Sequence, residues 1–295
     1  MAGFREKLAK RQKDAGTLVC VGLDPLAEKL PLHLKGEKFS DTEDVEAWMQ
    51  DIAIATAPYV SMFKPQSGHW EALGVAGISA LRGLVHYIHA RFPDIPVFLD
   101  CKRGDIARTQ QQYRIAHFEH QGVDGMNFSP YMGKDCMAAL VDKVHPGKAL
   151  VGLCYTSNPD ARQVQDALMA DGRPSWEHYA EWILEWAEEL GVVADTGLVM
   201  AAAYESPKGS GNVYSEHLTR CRQIVGNKLW FLIPGIGAQR GFIEETVRTA
   251  YAGPGSIAIN SSSEIDFASS GTDYMDEAAR KAKELRDTIN NALSA

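Results

Sequence analysis

The residues best suited to chemistry lie in one short segment, where Asp100, Lys102 and Asp105 follow the apolar run Val97-Phe98-Leu99. Successive side chains of a strand point to opposite faces, so we expect Asp100 and Lys102 on one face and Asp105 in the loop beyond. Charged side chains are poorly tolerated away from water unless they are paired. The segment therefore predicts either a paired structural cluster or a site at which charges act on a substrate.

Eight short apolar runs, separated by longer segments of helical periodicity, are the elements that must position these residues. They cover residues 18–24, 59–65, 97–102, 125–130, 149–156, 197–202, 230–235 and 256–261. Buried strands that alternate with helices are typical of a parallel sheet covered by helices, and eight such units are typical of a closed barrel. We predict an α/β protein with a single (β/α)8 TIM barrel, one domain spanning residues 1–295; an open doubly wound sheet is the structural alternative.

Polar residues cluster where these runs end. Asp24 ends the first run, Lys64 lies near the end of the second, Thr156 and Ser157 follow the fifth, and Pro234 leads into the loop after the seventh. In a barrel of this kind the carboxyl ends of all strands face one mouth, where the functional groups of such enzymes lie. We therefore expect these residues to meet the charged segment of the third strand.

Composition narrows the class of protein. The 295 residues carry 30 Lys and Arg against 38 Asp and Glu, a formal charge of -8 that disfavours a general binder of nucleic acid or membrane surfaces. The five cysteines form no CxxC pair, and no apolar run approaches the roughly 20 residues that span a bilayer. These features favour a cytoplasmic protein with reduced thiols. The histidine pairs lack further converging ligands, so we expect no metal site.

Seven segments, in order along the chain, carry a family resemblance. They are CVGLDP (20–25), FKPQ (63–66), LDCKRGDIART (99–109), SPYMGKD (129–135), YTSNP (155–159), IPGIGAQ (233–239) and INSSSEI (259–265). Together they resemble orotidine 5'-phosphate decarboxylase, in its longer type 2 branch. The Asp-x-Lys-x-x-Asp-Ile pattern followed by Thr109 is the specific signal.

The resemblance implies decarboxylation of orotidine 5'-monophosphate to uridine 5'-monophosphate, in de novo pyrimidine biosynthesis, without metal or organic cofactor. It assigns an alternating charged tetrad to Lys64, Asp100, Lys102 and Asp105, with Lys102 as the proton donor to ring carbon C6. An ammonium fixed beside that carbon stabilises the developing carbanion and then protonates it.

The resemblance also implies a homodimer with shared active sites, in which Asp105, Ile106 and Thr109 reach into the neighbouring subunit. It assigns the ribose hydroxyls to Asp24. Contacts to the pyrimidine and the phosphate fall to residues of two loops, namely Thr156, Ser157, Pro234 and Gln239.

Two departures from the family pattern stand out. The family usually places a phosphate-binding arginine after Asn-x-Ser in the last barrel loop, where this chain has Ser263. We expect Arg240, directly after Gln239, to take over that contact, since a guanidinium offers forked donors to phosphate oxygens. The second departure is Ala201-Ala202-Ala203-Tyr204, where Gly-Ala-Thr-Tyr is common.

Two other functions remain open at this point. A related barrel enzyme acting on sugar phosphates, an epimerase or a metal-dependent decarboxylase, would share the Asp-x-Lys-x-x-Asp strand. A nucleotide-binding protein without catalysis is suggested only by Ser263. The YTSNP and IPGIGAQ segments, suited to a pyrimidine nucleotide, weigh against the first alternative, and the intact tetrad weighs against the second.

Overall fold

Eight parallel strands form the inner wall of the molecule in the computed structural model, which describes residues 2–36, 41–235 and 240–295, with the backbone alone at 41, 240 and 241. A two-stranded hairpin, β7 with β8, lies outside this wall. The strands are β1 Val19–Gly22, β2 Met62–Lys64, β3 Phe98–Arg103, β4 Gly125–Phe128, β5 Ala149–Tyr155, β6 Thr196–Met200, β7 Tyr204–Glu205, β8 Val213–Tyr214, β9 Trp230–Ile233 and β10 Ile257–Ser261.

The order of the eight wall strands is β2-β1-β10-β9-β6-β5-β4-β3. Parallel bridges between Phe63 and Val97 and between Gln66 and Asp100 join β2 to β3, the two ends of that order. The strands therefore form a nearly closed barrel. The predicted TIM barrel is confirmed, and the open doubly wound sheet is excluded.

Helices cover the outside of the barrel between successive strands. The α-helices are α1 Phe4–Ala15, α2 Asp41–Thr56, α3 Ser67–Glu71, α4 Gly74–Arg91, α5 Ala107–Arg114, α6 Lys134–Ala138, α7 Arg162–Gln165, α8 Ser175–Leu190, α9 Glu216–Val225, α10 Arg240–Ala250, α11 Ser263–Asp266 and α12 Tyr274–Ser294. A π-helix, Ile115–Gln121, continues α5, and short 3-10 turns lie at Ala27–Lys29, Leu32–Leu34, Ala57–Tyr59, Pro130–Met132, Pro159–Ala161 and Val193–Asp195.

The barrel interior is filled by its own apolar cluster, separate from the layer between strands and helices. Helix α1 closes the end of the barrel at which the strands begin. There Phe4 stacks on Trp230, with ring centroids 5.3 Å apart. This arrangement leaves the carboxyl ends of the strands as the open end of the barrel.

Helix α8 shows how the outer layer packs. Its buried face includes Ile183, which lies against Gly152 of β5 so closely that a Cβ on that glycine would be 2.4 Å from the Ile183 Cδ1. In the sequence, Ser175 precedes apolar residues spaced three and four apart and Gly191 follows them, which predicts that Ser175 caps this helix and Gly191 ends it. The end at Gly191 is confirmed by its left-handed backbone, φ 70°. The expectation that Ser175 caps this helix is wrong: Pro174 is the N-cap, and the Ser175 hydroxyl donates to the carbonyl of Val164.

The five cysteines are all free and buried, as expected for reduced thiols. Among the helices of the described residues, none is both long enough and apolar enough to cross a membrane.

Candidate active site

A chain of alternating charges lies at the carboxyl ends of β2 and β3. The Lys64 Nζ is 3.3 Å from Asp100 Oδ2, and the Lys102 Nζ is 2.5 Å from Asp100 Oδ1. Each carboxylate oxygen of Asp100 therefore pairs with one ammonium group. The expectation that Asp100 and Lys102 share one face, and that Lys64 joins them, matches this geometry.

The two lysines differ in their exposure to solvent. Only 4% of the Lys64 side chain is exposed, whereas 46% of the Lys102 side chain is exposed. The buried ammonium is also 3.8 Å from Asp24 Oδ2 at the end of β1, so it lies between two carboxylates. Lys64 is a fixed internal charge, and Lys102 faces the open mouth.

Asn127, on β4, holds the backbone beneath the charged chain. Its side-chain oxygen accepts hydrogen bonds from the backbone N–H groups of Cys101 (2.8 Å) and Lys102 (2.6 Å), while its amide donates to Asp100 Oδ1 at 2.6 Å. The register of β3 against β4 shifts between Leu99 and Arg103. Asn127 thus supplies hydrogen bonds at an irregular stretch of strand where the regular ladder is interrupted.

Lys102 has a φ of 46°, a left-handed value that no other non-glycine residue adopts among those described. A side chain in that region costs about 1–2 kcal/mol because Cβ crowds the following carbonyl oxygen. Such strain persists only where the surroundings enforce it, and it is common at functional sites. Here the two bonds to Asn127 enforce it.

Electrostatics fix the ionisation of Asp100 and Lys64. Burial alone would raise the pKa of Asp100, but the ammonium groups of Lys64 and Lys102 outweigh it and lower the pKa to about 2. Burial alone would lower the pKa of Lys64, but the carboxylates of Asp24 and Asp100 raise it above its usual value. Both groups remain charged at neutral pH.

Asp24 is positioned by contacts from three elements. Its Oδ1 accepts a hydrogen bond from the Gln66 backbone N–H at 2.9 Å, and its own N–H donates to Asp266 Oδ2 at 3.1 Å. A Cβ at Gly22 would be 1.8 Å from the Ser262 hydroxyl and 3.0 Å from Asp24 Oδ2. Only glycine fits at position 22, and the Asp24 carboxylate has little room to move.

A cavity of about 590 Å³ opens above these charges. This volume lies within the range of pockets that enclose small molecules of nucleotide size. Lys64, Asp100 and Lys102 form the charged floor of this cavity. The rest of the lining comes largely from β4 and the loops after β5 and β9, and it includes Asn127, Thr156, Ser157, Gln165 and Pro234. The structure therefore brings together the predicted residues of four different strand ends.

Thr156 is held by Gln165 of α7, which sequence reasoning missed. The Gln165 side-chain oxygen accepts from the Thr156 backbone N–H, and its amide donates to the Thr156 hydroxyl, both at 2.8 Å. Asn127 was also missed, although a polar residue inside an otherwise apolar strand was an available signal. No comparable signal marks Gln165, because its role depends on how the loop folds back.

Asp105 does not join the tetrad within its own chain. Its Oδ1 accepts a hydrogen bond from the Ile106 backbone N–H at 2.7 Å, and among the described residues it makes no ion pair with either site lysine. Ile106 is 57% exposed, a high value for an isoleucine, and Thr109 is half-buried. All three lie beside the charged floor, at the start of α5.

Among the residues the structure describes, no three His, Cys, Asp or Glu side chains form a group able to hold a metal ion.

Comparison with known proteins identifies the family. The family model described as "Orotidine 5'-phosphate decarboxylase / HUMPS family" matches residues 17–269, which contain all eight barrel strands. The chain belongs to this family. Orotidine 5'-phosphate decarboxylase from Cupriavidus necator is 38% identical over 288 residues, covering 97% of each chain.

Solved structures agree with the family assignment. The OMP decarboxylase of Leishmania donovani matches with a TM-score of 0.78 and 29% identity, covering 99% of each chain. A putative orotidine-monophosphate decarboxylase from Toxoplasma gondii has a TM-score of 0.81 at 24% identity, which supports the fold. The family resemblance carried by the seven sequence segments is confirmed.

The side chains of two residues expected to bind substrate, Gln239 from the resemblance and Arg240 as the replacement for the family's arginine, are not described. Gln239 lies outside the described residues, and Arg240 begins α10 with only its backbone described. Ser263, where the family's arginine was expected, is exposed at the first residue of α11. Ala201, Ala202 and Ala203, at the second departure, are all buried, and Ala201 and Ala202 line a neighbouring cavity.

Proposed function

We propose that the protein decarboxylates orotidine 5'-monophosphate to uridine 5'-monophosphate, as a cytoplasmic enzyme of de novo pyrimidine biosynthesis. The observation that carries this proposal is the Asp100 carboxylate, held between the ammonium groups of Lys64 and Lys102 at the floor of a nucleotide-sized cavity. Family membership and the shared name of relatives at 34–38% identity support the same reaction.

In the proposed step, the bond between C6 and the carboxylate carbon breaks, and CO2 leaves without the electron pair. The pair stays on C6, next to the Lys102 ammonium, which stabilises it and then transfers a proton to form the new C–H bond. The resulting amine regains a proton from solvent. No redox partner is needed, and Asp100 and Lys64 keep their charges throughout.

Substrate binding is assigned to residues around the rim. Asp24 would bind the ribose hydroxyls, and Thr156 or Ser157, together with Gln239, would contact the pyrimidine, with Pro234 lining the same pocket. Gln239 and Arg240 would contact the phosphate. If Arg240 replaces the family's usual arginine, Arg240→Ala should raise KM for the nucleotide at least tenfold; an unchanged KM contradicts this assignment.

The direct test is a continuous assay of orotidine monophosphate loss by the wild type, Lys102→Ala and the matched control Lys143→Ala. Lys143 is exposed and precedes β5, so it lies at the opposite end of the barrel. We expect wild-type turnover unaffected by a chelator, a loss of at least about 100-fold in Lys102→Ala, and an unchanged control. Full activity in Lys102→Ala refutes the role of Lys102, and loss of turnover with chelator favours the metal-dependent sugar-phosphate chemistry of related enzymes.

We further propose a homodimer in which Asp105, Ile106 and Thr109 complete the partner's site. Within the described parts of the chain, Asp105 forms no ion pair with Lys64 or Lys102, and this supports the arrangement. Mixing two inactive variants, Lys102→Ala and Asp105→Ala, separates the possibilities. A mixed dimer would carry one site with both residues intact, so subunit exchange should restore about a quarter of wild-type activity. If Asp105 acts within its own chain, no activity returns.

A further inference from the structure

Asp266, the last residue of α11, is a buried acid for which the proposed reaction has no use. Only 1% of the residue is exposed. Its Oδ2 accepts the hydrogen bond from the Asp24 backbone N–H at 3.1 Å, and its Oδ1 has no hydrogen-bond partner among the described residues. The α11 backbone is fixed by the Asp266 N–H, which donates to the Ser262 carbonyl at 2.8 Å.

An ionised carboxylate is costly in this position. One of its oxygens would be buried without a donor, and a buried, unpaired charge costs several kcal/mol. Burial, followed by the nearby charge of Asp24, raises the pKa of Asp266 well above its usual value, and the more distant Lys64 only partly opposes this. The buried, unpartnered oxygen and the raised pKa therefore both favour the neutral form of the Asp266 carboxyl group.

The contacts of Asp266 bear on the orientation of Asp24. The Asp24 backbone is held by Asp266, its Oδ1 is held by the Gln66 N–H, and its Oδ2 faces the Lys64 Nζ. Because a Cβ at Gly22 would collide with Ser262, the chain on the other side of Asp24 is also tightly packed. Without Asp266, the Asp24 N–H in this half-buried turn would lose the side-chain acceptor that it has among the described residues.

We propose that Asp266 is a positioning residue, which fixes the strand-end turn at Asp24 so that the Asp24 carboxylate meets both Lys64 and a ribose hydroxyl of the bound nucleotide. This inference rests on the proposed function for the identity of the ligand. It assigns to α11 a role in ribose recognition that is separate from any contact with phosphate.

The test compares Asp266→Asn with Asp266→Leu, using the dissociation constants of uridine 5'-monophosphate and of its 2'-deoxy and 3'-deoxy analogues. The asparagine keeps the acceptor oxygen and a neutral side chain, so it should bind all three ligands within threefold of the wild type. The leucine removes the acceptor and should reduce discrimination against the analogue that lacks the Asp24-bound hydroxyl at least tenfold. Its affinity for that analogue itself should change little.

Two results overturn the proposal. One is an Asp266→Leu protein that discriminates between the ligands as the wild type does, and the other is equal weakening for all three, which indicates general damage.

A ligand-free crystal structure separates this inference from the proposed function. In Asp266→Leu, or in Asp266→Ala if the leucine variant does not fold, the Asp24 carboxylate should move away from Lys64 by more than about 1 Å. An unmoved Asp24 refutes the positioning role, whatever the protein binds. Failure of the wild type to consume orotidine monophosphate refutes the proposed function and leaves this structural result standing.

Discussion

Replacing Lys64 with methionine tests whether the buried ammonium organises the site. Methionine is unbranched and of similar length, so Lys64→Met removes the charge while filling most of the same space. The lysine side chain is 4% exposed and lies between Asp100 at 3.3 Å and Asp24 at 3.8 Å. After the change, both carboxylates stay near the charged floor, and Asp24 has lost its only ion-pair partner among the described residues.

The expected loss in the free energy of unfolding follows from the ionisation of Asp100. Its pKa of about 2, compared with a usual value of 3.8, corresponds to about 2 kcal/mol of stabilisation at neutral pH, since one pKa unit is worth about 1.4 kcal/mol. Removing one partner of a buried ion pair generally costs about 3–5 kcal/mol. Methionine also avoids the cost of burying an ammonium, so we expect the lower end, a loss of about 3 kcal/mol in the free energy of unfolding at pH 7.

The pH dependence gives the sharper check. In the wild type the pKa of Asp100 is lowered, so its stabilisation is complete above about pH 4 and is lost as the pH falls towards 2. In Lys64→Met the pKa of Asp100 rises because burial is less opposed, so Asp100 takes up its proton at higher pH. The difference in stability from the wild type should therefore narrow by about 1 kcal/mol between pH 7 and pH 4.

Urea denaturation at the two pH values measures both quantities, with Lys143→Met as the matched control for exchanging lysine for methionine. The control should change stability by less than about 0.5 kcal/mol, because Lys143 is exposed. The reasoning is refuted if Lys64→Met is as stable as the wild type at pH 7, or if its loss in the free energy of unfolding is the same at pH 4 as at pH 7. In the same preparation, kcat/KM should fall at least about 100-fold.

Three further predictions concern neighbouring positions. Asn127→Ala takes the acceptor from two backbone N–H groups and one of two donors from Asp100 Oδ1, which keeps Lys102, so it should cost about 2 kcal/mol in urea denaturation and lower kcat in the decarboxylase assay. Because Lys102 has φ 46°, Lys102→Gly should be about 1 kcal/mol more stable than Lys102→Ala, and equal stability would contradict backbone strain there. Burial lowers the pKa of His217 to about 4, so the stability that its neutral form contributes is complete above about pH 6.5 and is lost as the pH falls to 4. In His217→Gln, the free energy of unfolding should therefore vary by about 3 kcal/mol less between these pH values. An unchanged dependence on pH would show that His217 does not titrate there.

The barrel and most of the charged floor were predictable from sequence because both depend on local rules. Burial of both faces marks parallel strands, and side-chain alternation places Asp100 and Lys102 together. The contribution of Asn127 was not predictable, because it depends on which residue of β4 faces the irregular part of β3. Asp266 was not predictable either, since its partner is 242 residues away in the chain.

Local rules also failed where a loop folds back on the barrel. Ser175 has the residue type and position of a helix cap, yet its hydroxyl donates to carbonyls at the end of α7, so Pro174 takes the capping position. Residues 206–212, which are rich in Ser, Pro and Gly, predict a turn-rich loop after the sixth predicted strand. This loop links β7 to β8, but the sequence pattern does not indicate that those two short strands pair. Competing tertiary hydrogen bonds decided both outcomes.

In the proposed reaction, the unequal exposure of the two lysines favours Lys102 over Lys64 as the proton donor. Lys64 is almost fully buried between two carboxylates that raise its pKa, so releasing its proton would leave a neutral amine between two anions. Lys102 has 46% of its side chain exposed, and its ammonium pairs with Asp100 alone among the described residues, so its proton could be given to a bound ligand and replaced from water. A proton donor must give its proton to the ligand and regain one from water in every turnover. Lys64→Arg keeps the buried charge, whereas the guanidinium of Lys102→Arg does not release a proton near neutral pH. We therefore expect Lys64→Arg to retain more activity than Lys102→Arg in the decarboxylase assay. The reverse order would assign the donor role to Lys64 instead of Lys102.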